Sequence, residues 1–206
     1  MTRQTLFKQV KFVSLFLAGN VLLAFAVAYA LTQKLRGSNL FRTVFFMPNL
    51  IGGIVLGLVW QFIFSKIVPA VGKALGWQLL SKSLLSNKDT VMFTLVVVNT
   101  WQYAGYIMLI YVAAIQGISK SVMEAAVVDG ANYWTRVTRI QIPLMANAFT
   151  ISLFLTLTNS FKMFDQNLAL TAGAPERQTQ GLALDIYNTF YGRIGWQGVG
   201  QAKAVL

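Results

Sequence analysis

Apolar residues fall along this chain in four long runs separated by polar stretches, at 12–31, 44–64, 91–115 and about 144–161. Each run is close to the ~20 residues an apolar helix needs to cross hydrocarbon. None contains Asp, Glu, Lys or Arg, any of which costs roughly 2.5–3.5 kcal/mol at the centre of a span. The pattern predicts four transmembrane helices. The first carries one amide, Asn20, near its middle. It is longer than a signal-peptide core and three further runs follow it, so it reads as a true span. The second holds Pro48 and the pair Gly52 and Gly53, and Gly53 with Gly57 makes a GxxxG. That spacing lets two helix backbones approach closely, within one subunit or between two.

The connections differ. Residues 32–43 are short and basic, with Lys34, Arg36 and Arg42. Residues 65–90 carry Lys66, Lys73, Lys82 and Lys88 among Ile67, Val68, Val71, Leu75, Trp77, Leu79 and Leu80, which suggests a helix lying at the membrane interface. Residues 116–143 contain Lys120, Glu124, Asp129, Arg136 and Arg139 and belong in water or at the interface. Ser121 and Glu124 have capping-box spacing, which predicts a helix start. Met123, Ala126, Val127 and Gly130 then share one side. Gly130 suits a left-handed helix end, Asn132 can cap a second helix, and Tyr133, Val137 and Ile140 give that helix an apolar face. Pro143 suits the first turn of the next span. Two short helices at an angle result. Periodicity alone leaves open whether they float on headgroups or insert into a soluble partner.

Composition narrows the class. Of 206 residues, 56% are hydrophobic and 11% charged, with no Cys, no His and a net charge of +11. Soluble domains carry about 25% charged residues. Disulfides, thiolate or imidazole metal sites and the usual nucleophilic dyads are excluded. The basic residues lie mostly between apolar runs, so anionic lipid is a better counterpart for them than nucleic acid. The fold expected is all-α, a polytopic membrane helical bundle in a single membrane domain spanning 1–206.

The loop carries a more specific signal. Glu124, Ala125 and Ala126, then Gly130 after three residues, then Ile140 after nine more, then Ile142 and Pro143 resemble the EAA loop of ABC-importer permeases. The family pattern has Leu where this chain has Ile142. Asp129, Gly130 and Ala131 resemble the carbohydrate-uptake branch. Leu35, Arg36, Gly37, Phe41, Arg42, Thr43, Phe45, Phe46, Met47 and Pro48 are similar to that family's second loop and the span after it. Phe161, Phe164, Asp165, Leu170, Thr171, Gly173, Pro175, Thr179 and Tyr187 are similar to its late external segment, with Ala174 where Gly is common.

The resemblance implies a six-helix permease fold with a cytoplasmic coupling helix in the prokaryotic plasma (inner) membrane. The four runs counted here would then be an internal part of it, with further spans expected before Met1 and after about Gly198. It implies that residues 116–143 dock in a cleft of a cytoplasmic ABC ATPase through Glu124, Ala125, Ala126, Asp129, Gly130, Arg136, Arg139, Ile140 and Pro143. ATP is used by that partner and no cofactor is expected here; the chain has no GxxxxGK[ST] phosphate loop. A second permease subunit and an external solute-binding protein are the other partners implied, and nucleic acid is not one.

Polar groups inside spans are costly and often functional. Asn99, Thr100, Gln102, Tyr103, Thr156, Thr158, Asn159 and Ser160 are therefore candidates for the solute path, with Trp101, Tyr106 and Phe161 as rings for sugar faces. The alternative is that Ser and Thr bond their own helices and that Trp and Tyr mark interfaces. With the EAA loop cytoplasmic, that side carries six basic residues (Lys34, Arg36, Arg42, Lys120, Arg136, Arg139). The other side carries ten (Arg3, Lys8, Lys11, Lys66, Lys73, Lys82, Lys88, Lys162, Arg177, Arg193). The positive-inside tendency taken alone favours the reverse orientation; the motif takes precedence. An intramembrane enzyme would need clustered acids, His or Cys in the spans, and there are none. A permease for glycerol phosphate, peptides or amino acids, or an ATPase-independent channel or scaffold, remains an alternative.

Overall fold

The computed structural model describes residues 3–33, 37–78 and 80–205, without the side chains of Arg3 and Gln4. Lys34, Leu35, Arg36, Leu79 and the Arg3 side chain, used above, lie outside the described residues. Every regular element among the described residues is helical: α1 (Arg3–Thr32), α2 (Ser38–Phe46), α3 (Gly53–Phe62), α4 (Val68–Ala74), α5 (Val91–Gln116), α6 (Lys120–Val128), α7 (Tyr133–Thr135), α8 (Ile142–Leu144), α9 (Ala146–Lys162), α10 (Asp165–Leu170), α11 (Leu182–Phe190) and α12 (Gln197–Val205). Thr5–Thr32, Gly53–Ala74 and Val91–Gln116 are long and apolar enough to cross a membrane; Tyr133–Leu144 and Ala146–Lys162, bent by 65° at their junction, reach that length only when taken together.

The second span differs from the expected 44–64. Pro48 sits in a 3-10 turn, Met47–Leu50, and Gly52 adopts an extended backbone at φ −58°, ψ 139°. A helix that loses an N–H at proline and meets paired glycines ends there. It restarts at Gly53 and runs on through a wide π turn, Ile63–Ile67, into α4. The π turn has a cause. Pro69 has no N–H, and its ring would strike the carbonyl four residues back. One wide turn relieves the crowding, with the Val68 N–H reaching back to the Ile63 carbonyl. Pro143 is met in the same way. The π turn Arg136–Gln141 precedes it, and the Ile142 N–H donates to the Val137 carbonyl. Residues 65–74 of the expected interfacial helix are thus part of the span, and 75–78 with 80–90 form turns and bends instead of a helix. Lys66 and Lys73 sit in the end of this span rather than in a separate interfacial helix.

The chain forms two compact units, and α1, α5 and α9 each contribute residues to both. In the unit made of 17–50 and 100–156, Ala24 and Ala28 of α1 are buried with Ile107, Met108 and Tyr111 of α5 and with Met145 and Ala148. Phe25, Tyr111 and Phe149 pack ring on ring at 5.0–6.0 Å between centroids. The Tyr111 hydroxyl shares a 2.6 Å hydrogen bond with the Ser152 hydroxyl, which meets the polar tip of an otherwise apolar cluster.

In the unit made of 1–16, 51–99 and 157–206, the GxxxG acts within the chain. A Cβ on Gly57 would lie 2.7 Å from Ala169 Cβ and 3.0 Å from the Gln166 carbonyl, so α10 rests on the backbone of α3. Gln9 of α1 donates to the Ser160 carbonyl at 2.9 Å and accepts from the Leu182 N–H at 3.2 Å. Asn167, Thr171 and Thr179 close a buried network. Asn167 donates to the Thr179 carbonyl at 2.6 Å, and the two threonine hydroxyls are 2.7 Å apart. The network anchors residues 172–177, where Ala172, Gly173, Glu176 and Arg177 all have positive φ.

The tightest glycine contact tests this packing. A Cβ on Gly105 would lie 1.9 Å from the Phe45 carbonyl oxygen, whereas a Cβ on Gly52 would meet nothing within 4 Å. Gly105→Ala is therefore expected to destabilise the folded chain by about 2 kcal/mol or more, seen as a lower thermal unfolding midpoint in detergent. Gly52→Ala, whose φ of −58° any residue adopts, is expected to leave that midpoint within error.

Candidate functional site: a capped elbow between two spans

The segment between α5 and α9 is a stiff elbow, and each of its corners has a local cause. Ser119 is the N-cap of α6, at φ −59°, ψ 133°. The helix therefore starts two residues before the predicted Ser121. The Ser121 hydroxyl instead pairs with the Ser119 hydroxyl at 2.7 Å, so no capping box with Glu124 forms. The far end of α6 matches the expectation. Gly130 has φ +76°. The Ala131 N–H donates to the Ala126 carbonyl at 2.9 Å, and the Gly130 N–H donates to the Val127 carbonyl at 3.0 Å. These two bonds make a Schellman motif, which satisfies carbonyls the helix end would otherwise leave free. Two residues on, the Asn132 side chain accepts from the Thr135 N–H at 2.8 Å. A second helical stretch then runs to Leu144 and turns 65° into α9.

The elbow is held by one face and open on the other. Ala126 and Val137 are buried, and the Tyr133 ring meets Tyr29 of α1 edge-on at 6.1 Å. Arg136 and Ile140 are half-buried, while Glu124, Ala125, Asp129, Gly130, Arg139 and Pro143 are exposed. On the outer side Val128 is 87% exposed, Trp134 72%, Val127 54% and Val122 43%. A groove of about 500 Å³ beside them has Ile115, Ile118, Met123 and Val127 on its apolar wall and Lys120, Glu124 and Arg136 as its charged lip. Val122, Val128 and Trp134 were not singled out in the sequence. The available signal was the pair Val127 and Val128 at the end of a short helix with Ala126 buried: three consecutive residues span about 200° of the helix and cannot all face inward.

The residues expected to line a solute path separate into two groups. Asn99 is buried and donates to the Leu95 carbonyl of its own helix at 2.8 Å, and Ser160 likewise donates to the Leu157 carbonyl at 2.6 Å. Thr100 is buried against Gly19 and Thr156 is fully buried. Asn99 and Ser160 thus bond their own helices, whereas the buried hydroxyls of Thr100 and Thr156 have no hydrogen-bond partner. Trp101 and Phe161 are exposed at 41% and 43%. Tyr103, Tyr106 and Asn159 are half-buried. The rings of Tyr103 and Tyr106 lie 5.5 Å apart, one turn along α5.

Comparison with known proteins gives a consistent picture. Residues 20–203 match the family described as binding-protein-dependent transport system inner membrane component. The chain is 46% identical over 183 residues to AmyD of Thermoanaerobacterium thermosulfurigenes, a probable starch degradation products transport system permease; the match covers 88% of this chain and 61% of AmyD. It is 30% identical over 172 residues to MsmF of Streptococcus mutans, a multiple sugar-binding transport system permease, covering 84% of this chain and 59% of MsmF. The chain thus spans about three fifths of the length of these curated relatives. Its fold superposes with a TM-score of 0.85 and 18% identity on a bacterial ABC transporter involved in the import of the acidic polysaccharide alginate, covering 100% of this chain and 74% of that one. The chain belongs to the family of inner-membrane components of binding-protein-dependent transport systems.

Proposed function

We propose that the chain is a membrane-embedded permease part of an ATP-driven importer of sugars or oligosaccharides, and that the elbow is its coupling element to a separate cytoplasmic ATPase. One observation carries this reading. A rigid, doubly capped elbow holds four exposed apolar side chains, Val122, Val127, Val128 and Trp134, between two helices built to span a bilayer. Apolar side chains held out by a stiff turn suit a protein cleft, since the exposed core of a docking patch supplies most of its binding energy. Glu124, Asp129 and Arg139 sit on the same elbow as exposed charges and fit a polar rim around that patch.

Force on the elbow would pass directly to α5 and α9, because three residues join α5 to α6 and one buried residue, Met145, joins the elbow to α9. The chain supplies no chemistry of its own in this scheme. ATP binding and hydrolysis belong to the ATPase, a second permease subunit completes the path, and an external solute-binding protein delivers the solute. The elbow faces the cytoplasm of a prokaryotic cell and the chain crosses the plasma membrane several times. The sugar class is supported by what AmyD and MsmF are described as transporting. It is supported too by the ring pair Tyr103 and Tyr106 with the exposed Trp101, since aromatic faces suit the apolar faces of sugar rings.

Two outcomes test the elbow. Val128→Asp is expected to leave the thermal midpoint of the chain unchanged, because the side chain is 87% exposed. It should abolish co-purification of the ATPase and nucleotide-driven sugar uptake in vesicles; uptake at the parent rate would overturn the coupling role. Removing the cap with Asn132→Ala is expected to cost about 1 kcal/mol. It should speed limited proteolysis within 130–141 while uptake falls only in part.

A further inference from the structure

The largest cluster of cationic groups left unused by the proposed function lies in one cavity of about 740 Å³ in the unit made of 1–16, 51–99 and 157–206. Lys8, Arg177, Arg193 and Lys203 line it, against the acids Glu176 and Asp185. Lys203 is already neutralised. Its ammonium lies 2.8 Å from an Asp185 oxygen and donates to the Thr189 hydroxyl at 2.8 Å. That is the only salt bridge among the described residues, so the other three cations have no carboxylate at bonding distance. Lys8 spends one donor on the Arg177 carbonyl at 3.1 Å and keeps two. The Arg193 guanidinium lies 4.8 Å above the Trp196 ring. Stacking occupies the face of a guanidinium and leaves the N–H edge free to donate.

The position of the cavity adds the second half of the argument. Thr5 and Lys8 stand at the first turns of Thr5–Thr32, a stretch apolar enough to cross a membrane. The lining there also includes Trp196 and Val199, and tryptophan favours headgroup depth. Residues 172–177, with four positive-φ positions, are pinned by the Asn167, Thr171 and Thr179 network, so the backbone that carries Arg177 is set before any ligand arrives. Three cations from α1, the pinned turn and the approach to α12, at the end of a span, match a phosphate ester in charge and in depth. We propose that this cavity binds a phosphodiester, supplied by the headgroup of an anionic membrane lipid. The reading also gives a use to Lys8, Arg177 and Arg193, basic residues on the side that the orientation argument left with an excess.

The test uses the intact chain in nonionic detergent, with bound lipid counted by native mass spectrometry. Phosphatidylglycerol is expected to be retained, and phosphatidylcholine with the same acyl chains is not. Arg177→Gln with Arg193→Gln is expected to weaken phosphatidylglycerol binding about thirtyfold. A control that removes the same charge elsewhere, Lys66→Gln with Lys73→Gln, is expected to leave it unchanged. Soluble glycerophosphoglycerol binding as tightly as the lipid would keep the phosphodiester site and move its source from membrane to solution. Equal retention of the two lipids by the parent chain would overturn the proposal. So would equal loss in the cavity variant and the control, which is what diffuse surface charge predicts.

Discussion

Hydrocarbon offers no water to bond a free N–H or C=O, so each interruption of a membrane helix must be satisfied by the protein itself. That requirement organises this chain. Where Pro69 and Pro143 remove a donor, a wide π turn just before each proline keeps the helix continuous. At Gly130, in the elbow outside the hydrocarbon, the Schellman bonds from Ala131 and Gly130 take up the carbonyls of Ala126 and Val127. Where both solutions fail, at Pro48 and Gly52, the helix stops and a new one begins. The elbow between α5 and α9 lies outside hydrocarbon and satisfies its backbone locally all the same. Its central corner is held by the Schellman bonds at Gly130 and by the Asn132 cap.

With little hydrophobic drive between helices in lipid, close backbone approach has to supply the cohesion. Gly105 against the Phe45 carbonyl and Gly57 against α10 are the places where it does so. Buried polar side chains then add direction. Gln9 ties α1 to the Ser160 carbonyl and the Leu182 N–H, and Tyr111 ties α5 to Ser152 of α9. These contacts leave two kinds of surface unspent: apolar side chains on the elbow, suited to a protein cleft, and unpaired cations at the head of α1, suited to anionic headgroups.

The helical class, two of the four apolar helices to within two residues, the left-handed Gly130 and the Asn132 cap were all legible along the chain, while the first helix starts nine residues before the predicted span. Each depends on residues close in sequence: a run without charges, one left-handed glycine, one side chain reaching three residues on. The family resemblance of the segment between α5 and α9 was legible for the same reason, because its pattern lies within 20 consecutive residues. The second span was misplaced because composition alone does not show that Pro48 ends a helix while Pro69 is tolerated inside one. The difference lies in whether the preceding turn can widen, and a pair of glycines stands after the first proline but not after the second. The Ser121 cap failed on a local competition, with Ser119 two residues earlier taking the role.

Solute-path candidates show the limit most clearly. Asn99, Trp101, Tyr103, Thr156 and Phe161 looked alike as polar or aromatic residues inside apolar runs. Only the packing separated a buried Asn99, bonded to its own helix, from an exposed Trp101. The sequence by itself determined where the chain is apolar, where it must turn and which family it resembles, because those follow from local pattern. Tertiary structure alone decided which side of each helix is spent on packing and which cations of 1–16 and 172–203 share one cavity. Distance between residues far apart along the chain is set by how the helices pack, and no local pattern encodes it.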